Sequence, residues 1–459
     1  MSLFSQLLST LTDSERETVR ELPLRGKQQA ILQLYLSTNS PDSVAEHSIA
    51  KLGMSDSHLH ATLSILLQRC YDALIPERGF ELLVFLQTRG LDTHFKREFQ
   101  AQERYMRQIA KDKEHLQEFY LRTLHLLIGV TSTSFDVKLF TAIMVMCRRS
   151  STMSEHETAV QFHVCKLLRD VVDHAVNPVR KKPSVYKEQL FKRLAETEQL
   201  LAEEDAPIAR YHLTYAFLLY YAIFSFDAEK FRVYLRLLED DLLKLPLIIR
   251  EDEQPKVQLR KGSLAFFEGD FEGAYKIYNA ELRSFGMDIY QRFRFHLDVF
   301  VRVGLGLGKL DIARRLLNEG IAPIQPAKRT PLATSEAIYR VELALLDTRY
   351  TLAREFLEQG FGFNAGSNYI LSFDVQLRLL EWILFALDGA TATALETRLS
   401  RDAKHFYRKG LRQTDGQLMV FSTLKNVLHG GSKAELQQLL QQQLPGQPAL
   451  QGLLIEALK

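Results

Sequence analysis

Apolar residues recur at spacings of three and four along most of this chain. In residues 158–176, TAVQFHVCKLLRDVVDHAV, this spacing places Val160, Val164, Leu167 and Val171 on one face of a helix. We find no stretch in which apolar and polar residues alternate as they do in a half-buried strand. Glycine and proline interrupt the pattern often, leaving segments of about 12 to 25 residues between them. The pattern predicts an all-α protein of short-looped helical hairpins.

A second pattern is a small residue that returns every forty residues in the second half of the chain. The segments GDFEGAYKIYNAEL (269–282), GKLDIARRLLNEG (308–320) and TRYTLAREFLEQG (348–360) each open with turn-forming residues and continue into an apolar stripe. Their alanines, Ala274, Ala313 and Ala353, lie 39 and 40 residues apart, and Ala394 follows 41 residues later. Phe231 occupies the matching place 43 residues before Ala274.

Close packing of two antiparallel helices explains a recurring small residue just after a turn. The two backbones approach each other there, so a larger side chain does not fit. Gly269 and Gly308 precede the alanines and permit the chain to reverse. A fixed period between 20 and 50 residues is typical of a solenoid, in which each helical pair stacks on its neighbour. The spacing therefore predicts an α-solenoid of antiparallel helical hairpins.

The segment KGSLAFFEGDFEGAYKIYNAEL resembles a tetratricopeptide repeat. It has Gly262 in a first helix, Gly269 and Phe271 at the turn, and Ala274 and Tyr278 in a second helix. The next units keep Gly308 with Leu317, and Ala353 with Leu357, so the resemblance covers about residues 205–430. It departs from the family in its period of about 40 residues rather than about 34 and in lacking the usual proline at the repeat end. The layout of the whole chain also resembles uncharacterised helical bacterial proteins, which implies no activity.

The resemblance implies a TPR-like, right-handed superhelix in residues 184–459, preceded by an N-terminal bundle of helical hairpins in residues 1–178. It further implies a scaffold that binds a protein or peptide partner on the concave face, which the first helix of each pair lines. Counting back from the repeat alanines selects Lys256, Asp298 and Arg302 as groove residues that clamp the ligand. The residues expected to pack the repeats are Gly262, Gly269, Ala274, Gly308, Ala313, Ala353 and Ala394.

Composition narrows the choice of partner and location. The chain has 459 residues, of which 46% are hydrophobic and 25% charged, and its 58 basic and 56 acidic residues leave a net charge of +2. Such a balance provides no global field that attracts nucleic acid or an anionic membrane. The longest apolar run, residues 213–226, has 14 residues, fewer than the roughly 20 of a membrane-spanning helix. With three cysteines and no basic, apolar leader, we expect a cytoplasmic protein that does not insert into membranes.

Candidate catalytic and cofactor motifs are weak. The run VGLGLGKLD (303–311) lacks the glycine spacing and the Ser or Thr of a phosphate-binding loop, so we interpret it as a repeat turn. His58 with His60, and His156 with His163, lack the surrounding ligands of a zinc site, and Cys70 lies in an amphipathic stretch as a small core residue. We therefore predict no catalytic, cofactor or metal site and a protein that is not an enzyme.

An alternative function is a transcription or nucleic-acid regulator. Residues 26–75 include a segment that resembles a degenerate helix-turn-helix, with Gly53 at the turn, and the solenoid would then sense a partner. The second helix of that segment has no Lys or Arg before Arg69 to meet DNA. A basic stretch, VRKKPSVYKEQLFKR (179–193), could bind an acidic partner or nucleic acid, but such a run is more often a solvated loop and helix start, here between the N-terminal bundle and the solenoid.

Overall fold

The computed structural model describes two long parts of the chain and some isolated positions between 116 and 167. The first part is residues 3–109 without 12, 38–51, 76–78 and 90, and the second is 183–458 without 222–226, 288, 291–293, 322–329, 366–370, 410–415 and 445. Every regular element among these residues is a helix, and none is a strand. The predicted all-α class is confirmed for the described part of the chain.

The chain forms two compact units. One comprises Met1–Thr158 with Asn318–Arg329, and the other comprises Ala159–Leu317 with Thr330–Lys459. The boundary predicted between residues 178 and 184 stays a prediction, because residues 168–182 lie outside the described part.

Six helices of the first unit are described. Helices α1, α2 and α3 pack against α4, and α5 packs against α6. Arg89, only 2% exposed, follows α5. Its guanidinium lies 4.1 Å from the ring centroid of Phe85 and pairs with Glu15 at 2.5 Å. The helices are α1 (Leu3–Leu8), α2 (Asp13–Arg20), α3 (Lys27–Ser37), α4 (Asp56–Leu74), α5 (Phe80–Thr88) and α6 (Asp92–Ile109).

The second unit has fourteen described α-helices, and a π-helical turn, Leu316–Ile321, continues α13 beyond Leu317, the last residue of this unit before the segment assigned to the first. The helices are α7 (Pro183–Glu203), α8 (Pro207–Tyr220), α9 (Ala228–Leu242), α10 (Leu247–Phe267), α11 (Phe271–Phe285), α12 (Arg294–Gly306), α13 (Leu310–Arg315), α14 (Thr330–Leu346), α15 (Tyr350–Phe363), α16 (Leu371–Leu387), α17 (Ala392–Arg408), α18 (Gly416–Leu428), α19 (Lys433–Gln443) and α20 (Pro448–Glu456).

Helices α8 to α19 form six consecutive pairs. The pairs are α8 with α9, α10 with α11, α12 with α13, α14 with α15, α16 with α17, and α18 with α19. The second helix of each pair also packs against the first helix of the next pair. Four successive first helices contact their neighbours as well, α10 with α12, α12 with α14, and α14 with α16. This succession of packed pairs is compatible with a helical-repeat fold.

Five of the pairs share one kind of turn. In each, a residue in the left-handed region lies two positions after the end of the first helix, and the next backbone N–H donates to the carbonyl five residues earlier, which satisfies an otherwise unpaired helix end. Four of these residues are glycines, which adopt this conformation without a steric cost. The fifth, Thr348, has φ 58° although it is β-branched. The residues are Gly269, Gly308, Thr348, Gly389 and Gly430.

A common register relates the six second helices. Counted from the N-cap residue, the fourth and eighth positions are buried in every one of them, because they lie on the face that meets the first helix. The fourth positions are Phe231, Ala274, Ala313, Ala353, Leu395 and Leu436, and the eighth are Leu235, Tyr278, Leu317, Leu357, Leu399 and Leu440.

An ion pair recurs between neighbouring pairs at the turn end of the second unit. One partner is the fifth residue after the N-cap of a second helix. The other lies in the turn of the following helix pair, just before the left-handed residue of that turn. Because these side chains are partly exposed, each pair contributes little to stability, but its repetition shows that successive helix pairs meet in the same register. The ion pairs are Arg232–Glu268, Arg314–Asp347 and Arg354–Asp388, and Glu396 with His429 occupies the same two positions with the acidic residue on the second helix.

Candidate functional site

The C-terminal helix α20 lies against the first helices of three successive pairs. It contacts α12, α14 and α16, besides its neighbour α19. A helix can touch three adjacent helices at once only by crossing the side that they share. We call this side of α12, α14 and α16 the docking face. The α20 residues turned toward its contacts are Ala449, Leu450, Leu453 and Leu454, each at most 6% exposed.

Two glycines allow the C-terminal segment to lie close to the unit. A Cβ atom added to Gly306, at the end of α12, would lie 2.4 Å from Cγ of Pro448. Gly446, with φ 77°, passes Phe266 so closely that an added Cβ would lie 2.9 Å from its ring. Larger residues at either place would force the segment outward, since real Cβ contacts are not that short.

Arg302 is the polar centre of the docking face. Its guanidinium forms a 2.8 Å ion pair with Asp298, one turn earlier on α12, and donates to the hydroxyl of Tyr339 on α14 at 2.8 Å. The Tyr339 hydroxyl donates in turn to Asp298. Another guanidinium nitrogen lies 3.5 Å from the carbonyl oxygen of Gly446. The predicted groove residues Asp298 and Arg302 thus lie together, and Arg302 meets the chain's own C-terminal segment.

Glu342 lies one turn beyond Tyr339 on α14 and adjoins this cluster electrostatically. It is 4% exposed. Burial raises the pKa of Glu342 to about 8, with the nearby positive charge of Arg302 lowering it and the negative charge of Asp298 raising it. At neutral pH the carboxyl group is therefore mainly protonated, and the Asp298–Arg302 pair leaves the cluster without net charge.

Lys256, the third predicted groove residue, lies in a different environment. It is 2% exposed in α10 and forms an ion pair with Glu253. Its ammonium group also lies 4.7 Å from the ring centroid of Tyr215, and Tyr211 donates to Glu253 at 2.6 Å. A buried ammonium tolerates this position because a carboxylate and aromatic faces surround it. The structure therefore separates Lys256, enclosed between α8 and α10, from Asp298 and Arg302.

Among the residues expected to pack the repeats, Ala394 differs from the other alanines in its exposure to solvent. Ala274, Ala313 and Ala353 have no exposed surface, and an added Cβ on Gly262 would lie 3.0 Å from the ring of Tyr278. Ala394, by contrast, is exposed, and its backbone N–H is capped by the side chain of Thr391.

Two further polar clusters lie between helices of the second unit. Between α16 and α17, Arg378 bridges the buried carboxylates of Asp374 and Asp402 at 3.0 and 2.8 Å. His296 lies within hydrogen-bonding distance of Ser263, 3.1 Å away, and burial lowers its pKa well below the usual value, so it is neutral. Both clusters stabilise packing between helices.

The other candidate motifs do not assemble into a site. The glycine run 303–311 spans the end of α12 and a repeat turn, where an added Cβ on Gly304 would lie 3.3 Å from Ile312. Burial raises the pKa of the Cys70 thiol to about 12, and His163 lies 2.7 Å from the hydroxyl of Thr197. Among the described residues, no group of three His, Cys, Asp or Glu side chains is arranged to hold a metal ion.

The structure describes only part of the segment that resembles a helix-turn-helix, residues 26–75, because residues 38–51 lie outside the described part. Helix α4 exposes Ser57, His58, Ser64 and Arg69 among others, and Lys is absent from its sequence. Of the basic stretch 179–193, residues 179–182 are not described, and Lys192 pairs loosely with Glu196 at 3.9 Å. Over the described residues, no helix combines the length and hydropathy needed to cross a membrane.

Sequence reasoning missed the docking of α20 together with Gly306, Tyr339 and Glu342. A faint signal was present in GQPALQGLLIEAL (446–458), where a proline opens a short helix and leucines return at helical spacing. Searches among protein-family models, curated proteins and solved structures found no match to this chain.

Proposed function

We propose that this chain is a non-catalytic scaffold that binds a protein or peptide partner in the concave groove of a TPR-like, right-handed superhelix. The observation that carries the proposal is that the first helices α12, α14 and α16 together accommodate a helix, α20, on their shared side. Recognition of an amphipathic helix in an apolar groove is a common mode of protein binding.

The composition of the docking face supports a protein ligand. Arg302, Asp298 and Tyr339 offer both donors and acceptors at one point of the docking face, and the buried residues of α20 that lie against this face are apolar. Such a point fixes the register of a bound segment, whereas apolar contacts supply most of the affinity. The titratable groups with displaced pKa values, such as Glu342 and His296, are enclosed in helix packing, which favours a structural role over catalysis. A reduced, buried Cys70 accords with a cytoplasmic location.

Affinity capture with a matched pair of variants tests the proposal. The bait would be the full chain, either unchanged, with Arg302→Ala on the docking face, or with Arg354→Ala on the exposed turn edge. We expect one partner to be retained by the unchanged chain and the Arg354 variant and to be depleted by the Arg302 variant. The purified partner should then bind saturably in calorimetry.

Three results would count against the proposal. Equal retention by all three baits would move the binding surface away from the docking face. Absence of any saturable partner would remove the scaffold function. Co-purified nucleic acid that washes off as the salt concentration rises would favour a nucleic-acid regulator instead.

A further inference from the structure

We propose that the docking face is a helix-binding site whose resident ligand is the chain's own helix α20, and that a partner binds by presenting an amphipathic helix that displaces α20. The partner class rests on the proposed scaffold function. The site itself is argued from contacts within the second unit alone.

The contacts of α20 define what the site accepts. Its buried residues come in adjacent couples one turn apart, Ala449 with Leu450 and Leu453 with Leu454, while Gly452 and Glu456 are exposed. Ahead of the helix, the carbonyl of Gly446 faces Arg302, and Pro448 fits against Gly306. A fitting ligand is therefore a short helix with small and leucine-like residues in these couples, and with a free backbone carbonyl just before its first turn.

Charge adds a further requirement. Asp298 and the buried Glu342 lie beside Arg302, so the cluster has no excess positive charge with which to attract an acid. An acidic side chain on the buried face of a ligand would lose its hydration and meet Asp298. The face turned toward the site should therefore be uncharged, as it is in α20.

Several features make α20 displaceable. It has only nine residues, and isolated helices shorter than about 12 residues are marginal in water, so its helical state depends on docking. Gly452 lowers its helix propensity further. The buried side-chain oxygen of Gln447, next to Pro448, has no hydrogen-bond partner among the residues described here, which makes the fit imperfect.

The short connection to α19 maintains the closed state. Gln451 donates to the carbonyl of Leu444 at 2.8 Å, and Lys433 of α19 donates to the carbonyl of Leu458 at 2.7 Å. Because α20 is tethered through so few residues, its effective concentration at the docking face is high, and a free ligand competes poorly unless it fits better.

The test uses the full chain and a fluorescein-labelled peptide of residues 446–458 as the probe. One chain is unchanged, and a second carries Leu450→Glu with Leu454→Glu, which should release α20 and leave the docking face intact. Fluorescence anisotropy should show the peptide binding the released variant at least about tenfold more tightly than the unchanged chain, because the open fraction limits the apparent affinity. A peptide with both glutamate substitutions serves as the matched control and should not bind.

A third chain, with the opposite expected effect on α20, is compared in the same binding assay. Gly452→Ala changes an exposed position that has no neighbouring atom within 4 Å, so it strengthens α20 without touching the docking face. It should weaken binding of the probe by about threefold relative to the unchanged chain.

Hydrogen exchange provides a separate measurement on the unchanged chain. The backbone amides of α20 should exchange before those of α19.

The outcomes separate this proposal from the proposed function. Lack of binding to the released variant, or equal binding to both chains, would overturn the proposal, as would loss of cooperative unfolding in the released variant, since α20 would then be an integral part of the fold. If the peptide binds the released variant as expected while affinity capture finds no partner, the self-docking site stands and the scaffold function fails. If a partner is captured but the peptide does not bind, the scaffold function stands and the self-docking site fails.

Discussion

Replacing Glu342 with glutamine should abolish a pH dependence of stability in the second unit. Burial raises the folded-state pKa of Glu342 from an ordinary value of 4.5 to about 8. Because the folded pKa is the higher of the two, the unfolded chain loses this proton first as the pH rises. The folded state is therefore progressively destabilised between pH 4.5 and 8, and the effect levels off above pH 8.

The size of the effect follows from this gap. At 1.36 kcal/mol for each pH unit, the full displacement corresponds to about 5 kcal/mol. Between pH 6 and pH 8, where the rest of the protein is easiest to compare, linkage gives a loss of about 2 kcal/mol for the wild type that Glu342→Gln should not share. Asp298 and Arg302 face the same carboxyl group, and Arg302 keeps its charge over this range, because burial lowers its pKa less than its acidic and tyrosine neighbours raise it.

Urea unfolding followed by tryptophan fluorescence measures this difference. The chain has a single tryptophan, Trp382, which is fully buried in α16 and donates to the carbonyl of Leu395 at 3.3 Å. Its emission therefore reports on the unit that contains Glu342. The midpoints of the wild type and Glu342→Gln should draw apart as the pH rises from 6 to 8, with the variant the more stable at pH 8.

Glu358→Gln is the matched control, because Glu358 is an exposed carboxylate on α15. Its unfolding midpoint should follow that of the wild type across the pH range. Parallel pH profiles for the wild type and Glu342→Gln, with midpoints that stay a constant distance apart, would refute the reasoning about Glu342.

Three further predictions use the same fluorescence assay. Arg378→Met should cost about 2–3 kcal/mol, because it removes the cation that two buried carboxylates share and leaves Asp374 only with His405 and Asp402 with the more exposed Arg401, whereas Arg354→Met on the surface should cost less than about 1 kcal/mol; equal costs would contradict the assigned burial. Thr348→Gly should stabilise the unit by about 0.5–1 kcal/mol by relieving a left-handed backbone, and a lower midpoint would refute this strain. Ala313→Leu should destabilise by about 1–3 kcal/mol through overpacking between α12 and α13, and an unchanged midpoint would show that the contact is loose.

Much of the second unit could be predicted from the sequence because its signals are local. Gly269 and Gly308 open the predicted turns, and both have the positive φ that such turns require. Ala313 and Ala353 share the fourth position after the N-cap because the turns before them have equal length. Helical periodicity and turn chemistry act over a few residues, so the sequence displays them directly.

In α17, the second helix of the fifth pair, one extra turn residue changes which positions are buried. The left-handed Gly389 is followed by Ala390 before the N-cap Thr391, whereas Gly269 is followed at once by its N-cap Asp270. Leu395 therefore takes the buried fourth position, and Ala394 faces outward. Matching alanines by spacing alone does not reveal how many residues a turn contains.

The docking face depended on contacts that no local pattern records. Arg302 and Gly446 are 144 residues apart, and nothing near Arg302 indicates that a distant helix returns to it. The environment of Lys256 could not be predicted for a similar reason. Counting from a repeat alanine gave its position along α10, but it did not show that the ion pair with Glu253 allows Lys256 to be buried. Long-range packing decided both environments.

A reversible lock between α12 and α20 tests the central claim most directly. In the variant Gly306→Cys with Pro448→Cys, the two Cβ positions lie 2.8 Å apart, within a small shift of the roughly 3.8 Å that a disulfide spans. Oxidation would hold α20 on the docking face, and reduction would release it. We predict that a partner is captured by the reduced chain and not by the oxidised chain. Equal capture in the two states would contradict the claim that the docking face is where this scaffold binds its partner.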